Sequence, residues 1–400
     1  MPNFLKNFEN EVGISKYSIK KTKIGGRIKI KPEDFIVTEL DLEGIPVSQK
    51  NYFSVKKPRP GLFTHFILKK RLVDTPSAIN RLAKNLSLSQ SDFGYAGLKD
   101  ALAITYQRVS LWGVDVERLR DLNFRNMEIL NPTPASYHIR LGELSGNQFQ
   151  IRVSYLEEKI RNETIHEIVS ELKKYGFPNY FGLQRFGSKR PVLHLMGKHI
   201  IKRNYKKAVY TYLSTISPAE QTSIRLIREK FLRDEDYTIF IKNFPRHYTI
   251  ERKIAEHLKK RANDFQGAIL RLPSKIKLLF ISAYQSYLFN RTLNQIIDLR
   301  TNLDLPLLGF ETIIQSYPKV VQSILNEIIK TEKISLESFK NPIKEFSTRG
   351  GKRSAFVVPK ELNWVRESKN SIILNFKLPK GTYATALLRE IIDETRAPVI

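Results

Sequence analysis

The 400-residue chain carries 67 Lys and Arg against 40 Asp and Glu, a formal net charge of +27. The excess runs along the whole length, which is the charge of a protein built to meet polyanions, with nucleic acid as the leading partner. With no cysteine, disulfides and thiolate zinc sites are excluded, and no run of about 18 apolar residues is present to span a membrane. The N-terminal MPNFLKNFENEVG holds acids and no apolar leader core, so the expectation is a cytoplasmic protein of about two to three domains.

In chain order, Ile14 to Lys31 holds seven basic residues and no acid. Their alternation with Ile28 and Ile30 predicts a strand with one basic face. A second basic stretch, Tyr52 to Arg71, carries Lys56, Lys57, Arg59, Lys69, Lys70 and Arg71. Thr75 and Pro76 read as N-cap and first helical position, with Ile79, Leu82, Ala83 and Leu86 at helical spacing behind them. That helix ends before a glycine-flanked turn. In GNQFQIRVSY, Phe149, Ile151, Val153 and Tyr155 alternate as the buried face of a strand. Ile165, Ile168, Val169 and Leu172 then mark a helix with Gly176 as its C-cap.

After Pro178 the texture changes to a long, helical, lysine-rich region, and a domain boundary is expected there. It opens with a third basic stretch, Phe181 to Tyr210, containing Arg185, Lys189, Arg190, Lys198, Lys202, Arg203, Lys206 and Lys207 without an acid. Aromatic residues interleave with all three stretches, a combination suited to RNA, whose bases stack on rings while its phosphates pair with cations. Ile281, Tyr284 and Leu288 belong to another amphipathic helix. Strand-like text returns in SIILNFKLP and closes in GTYATALLREII. Strands at both ends of a helical middle predict one domain inserted into another.

Candidate chemistry narrows by elimination. Neither a phosphate-cradling G-x-x-x-x-G-K-[ST] loop nor a G-x-G-x-x-G fingerprint occurs, and no Gly-x-Ser-x-Gly elbow is present. His194 and His199 form the only close histidine pair, at a spacing foreign to helical zinc motifs. No cofactor and no metal are expected. What remains is chemistry on a polyanion run by a carboxylate, and Asp100 is the single acid between Gly94 and Gln107. Basic surroundings favour its ionised form, as a nucleophile or base requires.

Six strings stand in register along the chain: KIKPEDFIVTEL from Lys29, GLKDALAITYQ from Gly97, LGELSGNQFQI from Leu141, NYFGLQRFG from Asn179, AYQSYLFN from Ala283 and GTYATALLRE from Gly381. Together they resemble the signature segments of the TruD family of tRNA pseudouridine synthases. The resemblance implies an α+β pseudouridine-synthase domain with a central mixed or antiparallel sheet, residues 1–175 and 349–400, interrupted by an inserted α/β domain, 176–348, with RNA in the cleft between them. It further implies isomerisation of uridine in tRNA at position 13, without cofactor or metal, and one such cleft suffices for a monomer. The alternatives are a non-catalytic RNA-binding protein on the same scaffold and another RNA-modifying enzyme, such as a methyltransferase, which the missing glycine-rich loop disfavours.

The same resemblance gives roles to single residues. Asp100 matches the catalytic aspartate of the Gly-x-Lys-Asp motif. A carboxylate can hold one fragment covalently while the N1–C1′ bond is exchanged for a C5 linkage, or it can remove the ribose proton that starts an elimination. Phe35 matches a phenylalanine that stacks on the extruded base. Asn147 matches an asparagine near the acid, able to donate to a carboxylate and to accept from a 2′-OH or uracil N3–H. Phe149, Tyr383 and Lys29 fall on family positions around the site, Tyr383 against base or ribose and Lys29 toward the site or a phosphate. Lys99 either assists Asp100 or binds phosphate, although adjacent residues of an extended segment face opposite ways. NYFGLQRFG reads as architecture at the mouth of the insertion, with Gln184 and Arg185 available to RNA.

Overall fold

The computed structural model describes residues 2–48, 52–53, 61–157 and 160–393, so Lys56, Lys57 and Arg59 lie outside the described residues. The chain folds as two compact units, Met1–Lys20 with Phe177–Val357, and Lys21–Gly176 with Val358–Ile400. The architecture is α+β with a mixed central sheet.

The strands in chain order are β1 (Phe35–Leu40), β2 (Phe63–Arg71), β3 (Phe93–Tyr95), β4 (Ile104–Trp112), β5 (Met127–Ala135), β6 (Gly146–Ser154), β7 (Phe177–Pro178), β8 (Asp304–Leu307), β9 (Gly351–Ser354), β10 (Phe356–Val357), β11 (Lys360–Ser368) and β12 (Ser371–Pro379). Eight of them form the sheet of the second unit, in the order β11-β12-β6-β1-β4-β2-β5 with β3 against β4. Only β1 and β4 run parallel; the other pairs are antiparallel. β1 lies along Ile104–Tyr106 of β4 and β3 along Val109–Leu111. Since β2 takes the opposite flank of β4, β1 and β3 share one flank, and the β3–β4 connection must fold back beside β1.

Helical spacing in Thr75–Leu86 places Ile79, Leu82, Ala83 and Leu86 against Phe66 and Leu68 of β2 and Val109 and Leu111 of β4. The N-cap is Asp74, not Thr75: its carboxylate accepts from the Ser77 amide at 2.9 Å. Thr75 is the first helical residue, and its hydroxyl is thereby freed for another partner. Helix Asn162–Tyr175 buries Ile165, Ile168, Val169 and Leu172 and ends on Gly176 at φ +74°. The β6 alternation holds through Val153, while Tyr155 turns out of the strand at φ +59°.

The strand expected between Ile14 and Lys31 does not form. This stretch makes isolated bridges instead, Ile24 with Ile392 just beyond helix Ala384–Ile391 and Arg27 with Ser154 at the end of β6. Gly26, at φ +133°, sits so close to Val153 and Leu156 that a side chain would collide with them, and Lys29 adopts φ +57°. Two left-handed residues within four positions break the extended run that a ladder needs.

In the central unit the long helix Ser274–Ile296 buries Ile281, Tyr284 and Leu288. Its Asn290 donates to the Phe181 carbonyl and accepts from the Phe181 amide, which ties AYQSYLFN to NYFGLQRFG. Arg353 donates to the Asn179 carbonyl and lies 4.0 Å over the Phe181 ring. Tyr180, Phe181 and Phe186 are all buried, so this string is packing. The first residues join the same unit through the amides of Ser15 and Lys16, which donate to Asn294. Two residues read as RNA-facing are buried instead: Arg190 pairs with Glu220 and Glu251, and Lys70 is 1% exposed. Among the described residues, no helix is long and apolar enough to cross a membrane.

Candidate active site

The connection between β3 and β4, residues 96–103, carries Asp100. Its backbone is braced from several directions. Thr75 Oγ1 accepts from the Lys99 amide at 3.0 Å and donates to Gln107 Oε1 at 2.8 Å, and Gln107 Nε2 reaches the Gly97 carbonyl at 3.4 Å. Lys70 Nζ donates to the carbonyls of Lys99 and Asp100 at 3.2 and 3.0 Å. The loop is therefore held by helix start, β4 and β2 together, while the Asp100 side chain is 49% exposed.

Lys29 meets that carboxylate at 3.7 Å. The same ammonium lies 4.2 Å from the centre of the Phe35 ring, a cation–π contact. Phe35 in turn meets Phe149 edge-on at 6.3 Å, and Phe149 stacks on Phe376 at 5.2 Å. Sheet register explains the aromatic row. Val37 stands opposite Phe149, Glu39 opposite Asn147 and Phe376 opposite Phe149, so alternating residues of β1, β6 and β12 share one face.

Asn147 lies two residues from Phe149 on that face. Its Oδ1 is buried and, among the described residues, no donor reaches it. Such an orphaned acceptor costs free energy unless something supplies a proton donor. Gly146 beside it is required by packing, because a Cβ there would strike the Leu378 carbonyl of β12. Tyr383 caps helix Ala384–Ile391 four residues after β12 ends at Pro379, which pairs with Gly146. Tyr383 thus follows closely on the end of β12 that pairs with Gly146 and Asn147.

Lys99 is turned away from the exposed carboxylate. Its Nζ pairs with Glu39 at 3.3 Å, and Arg108 Nε meets the same carboxylate at 3.0 Å, with the Glu39 side chain fully buried. Burial holds the Lys99 ammonium below the ordinary lysine range. For Arg108, burial works to lower the pKa, but Glu39 together with Tyr52 and Tyr137 raises it on balance. The structure thus joins Asp100, Lys29, Phe35 and Phe149 by direct contact, sets Asn147 on their face, and assigns Lys99 to a buried ion pair.

Glu39, Arg108, Thr75, Gln107 and Lys70 were not singled out in the sequence for this role. A signal existed for Glu39: an acid inside the apolar strand text FIVTEL calls for a buried cation. For Lys70 there was none, since a lysine in a basic run looks the same whether it points in or out.

Among known proteins, the family model described as tRNA pseudouridine synthase D (TruD) matches residues 11–319 and 298–391. The "Probable tRNA pseudouridine synthase D" of Methanococcus vannielii is 32% identical over 95% of this chain and 98% of its own length. "Probable tRNA pseudouridine synthase D 1" of Methanocaldococcus jannaschii is 34% identical over 92% and 96%. A crystal structure from Methanosarcina mazei, assigned as tRNA pseudouridine synthase D, superimposes with a TM-score of 0.77 at 27% identity and covers 96% of this chain and 97% of its own. By fold and by these matches, the chain belongs to the TruD family of tRNA pseudouridine synthases.

Proposed function

We propose that the chain isomerises uridine to pseudouridine in tRNA, at position 13, with Asp100 as the catalytic carboxylate and the target base extruded onto the face that carries Phe35, Phe149 and Asn147. The observation that carries this reading is the Asp100–Lys29 pair over the Phe35–Phe149–Phe376 row. An exposed anion on a rigidly braced loop can reach the ribose, with the Lys29 ammonium 3.7 Å away as its counter-charge. Phe35 is itself 3% exposed, covered by the Lys29 ammonium. Stacking of a base on this ring therefore requires Lys29 to swing aside, toward the carboxylate or a phosphate. The orphaned Asn147 Oδ1 supports a contact with uracil N3–H or the 2′-OH.

Uridine and pseudouridine are isomers, so no oxidant, reductant or co-substrate is needed: the N1–C1′ bond is exchanged for a C5–C1′ bond while C5 gives up its proton and N1 takes one up. The residues of this face have parts in that sequence: Asp100 meets the ribose as N1 leaves, and Phe35 and Asn147 hold the base as it turns and rejoins at C5. We further place the enzyme in the cytoplasm with its tRNA, acting as a monomer, with residues 176–348 as the inserted domain.

The test compares wild type with Asp100→Asn on an unmodified tRNA transcript. Pseudouridine is mapped by carbodiimide-dependent primer extension, with tRNA binding measured in parallel. The variant is expected to lose isomerisation while binding stays within a few fold, because a single carboxylate contributes little to a phosphate-dominated interface. Undiminished product from Asp100→Asn would overturn the catalytic role, and no product from wild type would overturn the activity.

A further inference from the structure

Among the described residues, Lys70 is a buried cation that touches the Asp100 loop with carbonyl oxygens, and no acid, as its hydrogen-bond partners. Its side chain emerges from β2, is 1% exposed, and sends its ammonium to three carbonyl oxygens: Val73 at 2.6 Å, Asp100 at 3.0 Å and Lys99 at 3.2 Å. Three N–H donors meet three acceptors, so the ammonium is fully satisfied by backbone alone. Burying a lysine charge is expensive, and a methionine or leucine would fill the same space at lower cost. The charge is retained where it grips the peptide groups on both sides of Asp100. We propose that Lys70 is a positioning residue of the reaction, its ammonium fixing the backbone of Asp100 so that the exposed carboxylate is presented to the ribose in one orientation. This rests on Asp100 being the catalytic carboxylate.

The role depends on the proton. A neutral amine offers two donors and a lone pair, so one carbonyl loses its partner and faces a second acceptor. Burial brings the ammonium down to about 8, against the opposing pull of Asp74 at the helix start and Asp100 in the loop, while Lys99 pushes it lower still. The loop grip is consequently lost on the alkaline side of neutrality. Asp74 supplies a clean handle: asparagine is as good an N-cap as aspartate, so Asp74→Asn keeps the helix and removes one charge that stabilises the ammonium.

Single-turnover rates on saturating tRNA are measured from pH 6.5 to 9.5 for wild type, Lys70→Met, Asp74→Asn and Asp100→Asn, with tRNA affinity determined separately. Wild type is expected to lose rate with a midpoint near 8. Asp74→Asn should move that midpoint to lower pH, whereas a limb set by ionisation of the uracil would stay in place. Lys70→Met should run roughly 10- to 100-fold slower at pH 7, as small misplacements of a reacting group do, with no midpoint near 8 and with affinity within about threefold, because the buried ammonium touches no phosphate. A Lys70→Met rate within twofold of wild type, or an alkaline limb that Asp74→Asn leaves unmoved, would overturn the proposal. Should Lys70→Met not fold, the Asp74→Asn comparison decides by itself. Full activity in Asp100→Asn would sink the reading beneath it, whereas an inactive Asp100→Asn beside an unaltered Lys70→Met sinks only the role of Lys70.

Discussion

Glu39 shows how a single side chain in β1 governs the neighbourhood of Asp100. Fully buried, it holds both Lys99 at 3.3 Å and Arg108 at 3.0 Å, and through Lys99 it anchors the residue immediately before the catalytic candidate. Replacing it with glutamine leaves two buried cations sharing one neutral amide. Glu39→Gln is expected to cost about 3–5 kcal/mol of stability, the usual result of breaking a buried pair from one side, measured as a shift in the denaturant midpoint at unchanged slope. A loss below about 1 kcal/mol would place this pair with the weak surface bridges. At this scale the sequence named Asp100, Lys29, Phe35, Phe149 and Asn147, because their strings kept the family register. It could not assign Lys99 and Lys70, since the direction of a lysine depends on what lies behind the strand.

At the scale of elements, two readings were displaced by packing. Thr75 yields the N-cap to Asp74 and spends its hydroxyl on the Asp100 loop, so the start of this helix is also part of the site. The basic segment before Lys31 forms no strand, because Gly26 approaches Val153 and Leu156 and Lys29 turns left-handed to bring its ammonium to Asp100. Helix Leu193–Ile201 carries a pH-dependent liability. Burial pushes His194 down to about 4, and burial with the neighbouring Lys207, Lys198 and Lys202 does the same to His199. Both are neutral in the fold, while in the unfolded chain they take up protons near 6.5. The unfolded state thus binds more protons between about 6.5 and 4, and stability falls as pH is lowered through that window. His194 packs between Phe186 and Tyr287, so His194→Phe suits the space. The drop in Tm between pH 7 and 4.5 is expected to be smaller in this variant; an identical drop would count against His194 as a cause.

Across the whole molecule, the formal charge of +27 overstates what is offered to RNA, because Lys70, Lys99, Arg108, Arg190, Arg228 and Lys277 are buried and tied to carboxylates or carbonyls. The remaining exposed cations still predict an affinity for tRNA that falls steeply with salt, with log Kd rising linearly in log salt concentration. Asp100→Asn should leave that slope unchanged, since it removes no phosphate contact; a flat dependence would mean that binding is not carried by the exposed cations. By itself, the sequence determined the family and the reaction class and nominated Asp100 as the candidate acid, because ordered motifs and net charge are properties of the chain. Only the tertiary structure decided which lysines are buried supports and which one meets Asp100, because burial is fixed by strand pairing and helix packing between segments far apart in sequence.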